Sequence, residues 1–133
     1  MIGKIPEDIL DSFLESIPIE FSLLDQDDKV LAWNRHKTRV FKRPENVLGK
    51  DVRDCHPKKS IHKVEQILFE MKNKKRDSAR FWIDLPLKDK GKRKILIEYF
   101  AIRNEAGKYL GSLEASRDIT DLLSLSGEKR LLD

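Results

Sequence analysis

The segment Cys55-His56-Pro57-Lys58-Lys59-Ser60 gathers the chain's single cysteine and one of its three histidines directly ahead of a helical pattern running from Ile61 to Lys75. Such residues can ligate a metal ion. A residue before proline is pushed towards extended backbone, so His56 is expected at the mouth of the coming helix rather than inside it. There the positive end of the helix dipole disfavours imidazolium and favours the neutral ring that ligation needs. The competing reading is a histidine that only hydrogen-bonds the nearby backbone. Consecutive residues of an extended segment point to opposite sides, so Cys55 and His56 are not expected to reach one ion, and Cys55 reads as a small packed residue. A zinc site from Cys55, His56 and His62 matches none of the usual paired spacings. His36, among Arg35, Lys37 and Arg39, reads as a surface residue.

No carboxylates form a recognisable acid-base motif, and there is no nucleophile elbow, glycine-rich phosphate loop or kinase signature. The chain is therefore expected not to be an enzyme. Its 133 residues suit one domain with one core. Charged residues make up 38% of the chain, against an average near ~25%, which describes a heavily charged surface. The net charge of +4 comes from Lys/Arg blocks at Lys72–Arg76 and Lys88–Lys94, which acidic residues interrupt. Solvated loops are expected there, with no nucleic-acid partner. One cysteine excludes an internal disulfide framework and fits a reducing cytoplasm. No apolar run reaches membrane-spanning length, so no membrane partner is expected.

The elements that must position His56 follow from periodicity. Pro6 opens a helix carrying Ile9, Leu10, Phe13, Leu14 and Ile17, which Pro18 stops. Phe21–Leu24 and Val30–Trp33 flank an acidic turn and form a hairpin. Asn34–Phe41 reads as a short helix, and Pro44–Lys50 as a turn with a short helix ending on glycine. The long helix is capped by Ser60, and Ile61, Val64, Ile67, Leu68 and Met71 fall within about 120° of its wheel. His62 lies roughly 160° from the centre of that arc and faces away from the core. Ala79–Leu87, Arg93–Arg103 and Tyr109–Arg117 are strands; Ile95, Ile97, Tyr99 and Ala101 share one face of the second, Leu96, Glu98, Phe100 and Ile102 the other. A helical pattern returns with Leu122, Leu123, Leu125, Leu131 and Leu132. The sum is an α+β fold: a five-stranded antiparallel sheet with helices on one face, plus N- and C-terminal helices, and a cavity between sheet and long helix.

The chain resembles a PAS domain over nearly its whole length. The resemblance rests on Leu24-Asp25 with Lys29-Val30-Leu31-Ala32-Trp33-Asn34-Arg35, on Val47-Leu48-Gly49-Lys50-Asp51-Val52, and on Gly107-Lys108-Tyr109-Leu110-Gly111-Ser112 followed by Asp118-Ile119-Thr120. More narrowly it is similar to the C-terminal PAS domain of haemerythrin-linked bacterial and archaeal proteins, which share a Cys-His-Pro segment and a tail like Gly127–Leu132. The implied division is an N-terminal helix over 1–18, as cap or dimer contact, a sensor domain over 19–120 and a helical linker or tail over 121–133. His56-Pro57-Lys58-Lys59-Ser60 is also similar to the segment of carbon-monoxide-sensing PAS regulators in which the histidine ligates haem iron. This resemblance implies haem as cofactor, His56 as its metal ligand, and Ile61, Val64, Leu68, Met71, Ile83, Leu96 and Tyr99 as cavity walls. It implies a signal carried by a diatomic gas or redox change, in a homodimer. Where those regulators offer methionine as the opposite ligand, this chain has Ala79-Arg80-Phe81-Trp82-Ile83. The alternative is a cofactor-free dimerisation or interaction module, or a sensor of a small apolar metabolite.

Overall fold

Residues 1–132 are described in the computed structural model of the chain. Helix α1 (Glu7–Ser16) begins after Pro6 with Glu7 and Asp8 in its first turn, where acidic side chains complement the helix dipole. Its apolar stripe stays outside the core: Ile9, Leu10 and Phe13 are 49%, 38% and 44% exposed. Strands β1 (Glu20–Asp25) and β2 (Val30–Trp33) form the expected hairpin. Asp25 Oδ1 closes its turn by accepting from the N–H groups of Asp27 and Lys29 at 2.8 and 2.9 Å, and Asp28 takes a left-handed φ of 64°.

Single 3-10 turns at Glu45–Val47 and Val52–Cys55 lead to helix α2 (Lys58–Lys72), followed by β3 (Ser78–Leu87), β4 (Gly91–Arg103) and β5 (Tyr109–Asp118). The sheet order is β2-β1-β5-β4-β3, with every neighbouring pair antiparallel. The last strand therefore lies at the centre, beside the first. Helix α2 lays Val64, Leu68 and Met71 into the interior and leaves His62 exposed, as its wheel required. Its core divides in two. Leu24, Val30, Val52, Val64 and Leu68 form one cluster, and Met71, Ile95, Ile97 and Tyr99 the other. Among the described residues no helix is long and apolar enough to cross a membrane.

Four expectations are corrected. Asn34–Phe41 is not helical, because side chains replace the helical ladder. Asn34 Nδ2 donates to the Ile19 carbonyl at 2.8 Å, its Oδ1 accepts from Phe21 N–H at 2.9 Å, and Arg39 Nε donates to the Asn34 carbonyl at 2.8 Å. Helix α2 starts two residues before Ser60, whose N–H and hydroxyl both donate to the Pro57 carbonyl from within the first turn. It ends at Lys72, short of Lys75, because Lys74 turns left-handed with φ 57°. The expected C-terminal helix is only a 3-10 turn over Thr120–Ser124. Leu122, Leu123, Leu125, Leu131 and Leu132 are all exposed, so their helical spacing buries no face, and burial is what stabilises short helices. Asp133, the end of the expected tail, lies outside the described residues.

Candidate functional site

His56 stands where its proline places it. Its φ of −113° and ψ of 147° are extended, at the end of the 3-10 turn and just ahead of α2. The Val52 carbonyl lies 3.0 Å from Nδ1 and can only accept, so Nδ1 carries the proton. That leaves Nε2 as the acceptor, facing the Tyr99 hydroxyl at 3.5 Å. Tyr99 is 1% exposed, and burial, then the neighbouring Glu114 charge, push its pKa upward. The hydroxyl stays neutral and able to donate.

The residues expected to wall a cavity around His56 do not enclose one. Val64 and Leu68 belong to the first core cluster, Met71, Ile83 and Tyr99 to the second, and Ile61 is half-buried at the start of α2. Leu96 is a correction. It pairs with Trp82 in the β3–β4 register, one residue out of phase with the buried Ile95 and Ile97, and so lies on the outer face of the sheet. A haem also does not fit this packing, because iron at bonding distance from Nε2 would collide with the Tyr99 hydroxyl 3.5 Å away. Among the described residues no group of three His, Cys, Asp or Glu side chains is placed to hold a metal. Cys55 packs against the first cluster, and His36 bonds Thr38 at the surface.

A separate small space of about 10 Å³ on the sheet's inner face has a lining which sequence reasoning missed. It is bounded by Glu20 and Ser22 on β1, Glu114 and Ser116 on β5, and Arg39, Phe41 and Arg43 on the irregular segment 34–44. The strand register puts Ser22 opposite Glu114 and Glu20 opposite Ser116, so the polar residues sit in two adjacent rows. Glu20 accepts from the N–H groups of Val40 and Phe41, and its carboxylate lies 3.9 Å from Arg39. Burial raises the Glu20 pKa despite these bonds and lowers that of Arg39 despite the neighbouring acid. Arg43 donates from Nε to Ser22 Oγ at 3.0 Å and from Nη2 to Glu114 Oε2 at 3.3 Å. The Ser116 hydroxyl, in a residue 2% exposed, has no hydrogen-bond partner among the described residues. Such an orphan is uncommon, since buried polar groups are nearly always paired.

The signal in the sequence was alternation of the unusual sense. In Glu20-Phe21-Ser22-Leu23 and Ser112-Leu113-Glu114-Ala115-Ser116 the polar set faces inward and the apolar set outward. Period two alone does not say which face is buried. The C-terminal end of β5 carries a clasp. Burial pushes the Asp118 pKa up, but hydrogen bonds from Thr120 and Arg93 outweigh it and hold the carboxyl below its ordinary value. Thr120 Oγ1 donates to Asp118 Oδ1 at 2.7 Å and accepts from Lys94 N–H at 2.7 Å.

The pattern of a known family, described as PAS domain, matches residues 10–120. The chain belongs to the PAS domain family. PAS domains are sensory and signal-transduction modules, and the five-stranded antiparallel sheet with helices is their fold. The C-terminal domain of a Streptococcus mutans protein is similar in structure, with 26% identity and a TM-score of 0.82, covering 95% of this chain and 94% of that one. The PAS domain of Bordetella pertussis BvgS is 16% identical with a TM-score of 0.64, over 87% of this chain and 90% of that one. VqmA, a Vibrio cholerae protein, has been solved bound to DPO; it is 17% identical with a TM-score of 0.60, over 84% of this PAS domain and 56% of the VqmA chain. No curated protein matches the chain in sequence.

Proposed function

We propose that this PAS domain is a small-molecule sensor whose input site is the polar pocket between β1, β5 and segment 34–44, and whose output leaves through the clasp at Asp118–Thr120. The observation that carries the reading is the buried, unpartnered Ser116 hydroxyl beside the Arg43–Glu114 pair. A site that keeps a donor and charged groups buried and incompletely paired is poised to exchange them for a ligand. VqmA, which holds DPO, supports the choice of a ligand sensor over a cofactor-free module.

Segment 34–44 is the movable wall. It has no helix or strand and is fastened by side-chain bonds from Asn34, Arg39 and Arg43. A ligand that draws Arg43 away from Glu114 alters contacts on β5, four residues before Asp118. Only such differential contact can bias an output state.

Arg43→Gln tests the coupling. The amide resonances of Asp118, Ile119 and Thr120 should shift although residue 43 is remote in sequence. Unmoved exit resonances, with shifts confined to Ser22 and Glu114, would refute the link. A haem sensor built on His56 and responding to a diatomic gas is the competing proposal. It requires Tyr99 to leave Nε2, and a sharp Soret band on haemin titration that His56→Ala abolishes would replace the polar-pocket reading with it.

A further inference from the structure

We infer that the pocket, about 10 Å³ as packed and opened by the guest that parts Arg43 from Glu114, selects a compact, net-neutral molecule carrying an N–H donor next to a C=O acceptor, as in a primary amide, and rejects carboxylates and organic cations of the same shape. The inference rests on the pocket reading above and adds the ligand's chemical class. It starts from charge. Glu20 and Glu114 face Arg39 and Arg43, so the charges in the lining cancel. The side chains of Arg39, Arg43, Glu20 and Glu114 are 10%, 11%, 4% and 14% exposed, so little water is at hand to screen a fifth charge.

The pairs differ in how firmly they are committed. Arg39 is heavily committed: it makes four hydrogen bonds, to the carbonyls of Asn34, Phe41 and Phe21 and to Asn34 Oδ1. Glu20 is held by two backbone N–H groups. Arg43 and Glu114 share a single bond at 3.3 Å, longer than is usual for a charged pair. A carboxylate bound to Arg43 would strand Glu114, and a cation bound to Glu114 would strand Arg43. Either leaves a buried charge without its partner, which is strongly unfavourable. An amide strands neither. Its N–H donates to Glu114, its C=O accepts from Arg43, and the free Ser116 hydroxyl supplies a second donor to the same oxygen.

Acetamide, acetate and acetamidinium share one shape and carry charges of zero, minus one and plus one, so they isolate the effect. Each is titrated against the whole chain while amide resonances are followed. Acetamide is expected to give saturable shifts at Ser22, Arg43 and Ser116 at millimolar concentration, with the two ions weaker by about tenfold or more. Glu114→Gln removes one negative charge, and acetate should then bind more tightly than acetamide. Ser116→Ala, a milder change, should weaken acetamide severalfold without reordering the three probes. Saturable binding of either ion at least as tight as acetamide would overturn the proposed class while leaving the pocket intact. Absence of saturable shifts with all three would overturn the pocket reading and this inference with it.

Discussion

Asp28 offers a direct test of how the hairpin, the 3-10 turn and α2 are held together. It is 2% exposed, and its Oδ2 accepts from Arg53 Nη1 at 3.1 Å and from Lys72 Nζ at 2.7 Å. One carboxylate thus joins the β1–β2 turn to the segment before His56 and to the far end of α2. Hydrogen bonds to charged groups contribute about 1.5–3 kcal/mol each. The Arg53 and Lys72 side chains are 32% and 33% exposed, so water recovers part of their solvation once the acid is gone. Discounting for this leaves about 1 kcal/mol per bond, and Asp28→Asn should cost about 2 kcal/mol. Asparagine also tolerates the φ of 64° at this position. Asp28→Ala adds a left-handed penalty of about 1 kcal/mol and should reach about 3 kcal/mol. Urea unfolding followed by circular dichroism, with unchanged m-values, measures both. Two results would refute the reasoning: an Asn variant within about 0.5 kcal/mol of the parent, or Asn and Ala variants of equal stability.

Glu20 gives a pH signature of the opposite sign to ordinary acid denaturation. Burial raises its folded-state pKa above 4.5, so the folded chain holds that proton more tightly than the unfolded one. Its contribution to stability is greatest at low pH and declines as pH rises from about 4.5 through the raised value. The stability difference between the parent and Glu20→Gln should therefore drift in favour of the variant over that window; a flat difference would count against a desolvated Glu20. The exposed stripe of α1 predicts self-association: Leu10→Glu with Phe13→Glu should convert a dimer to monomer in sedimentation velocity while leaving the unfolding midpoint nearly unchanged. A dimer that survives both charges would remove α1 from the contact.

Alternation made the strands legible, because β3 and β4 keep strict period two through Ile83, Ile95, Ile97 and Tyr99. The apolar arc of α2 was equally readable from Val64, Leu68 and Met71. Asn34–Phe41 was not, since its conformation depends on Asn34 and Arg39 bonding carbonyls of β1 and the residue before it, partners that spacing does not reveal. At His56 the extended geometry follows from Pro57, whereas the Val52 carbonyl that accepts from Nδ1 and the Tyr99 hydroxyl that faces Nε2 are partners brought by the fold, which spacing does not reveal. The pocket was hidden for a different reason. Ser22, Glu114 and Ser116 look like solvent-facing strand positions until the order β1-β5-β4 puts them at the middle of the sheet under segment 34–44.

Placing β5 at the centre of the sheet has a mechanical consequence. The strand that floors the pocket with Glu114 and Ser116 ends in the Asp118 clasp, so detector and exit are parts of one beam rather than two parts joined by a relay. Two residues of strand span roughly 7 Å, short enough for a displacement at Ser116 to reach the clasp without a change of secondary structure. The timing of a response would then be set by re-pairing of side chains around Arg43, and the clasp on Thr120 and Arg93 would fix the load at which the chain beyond it lets go.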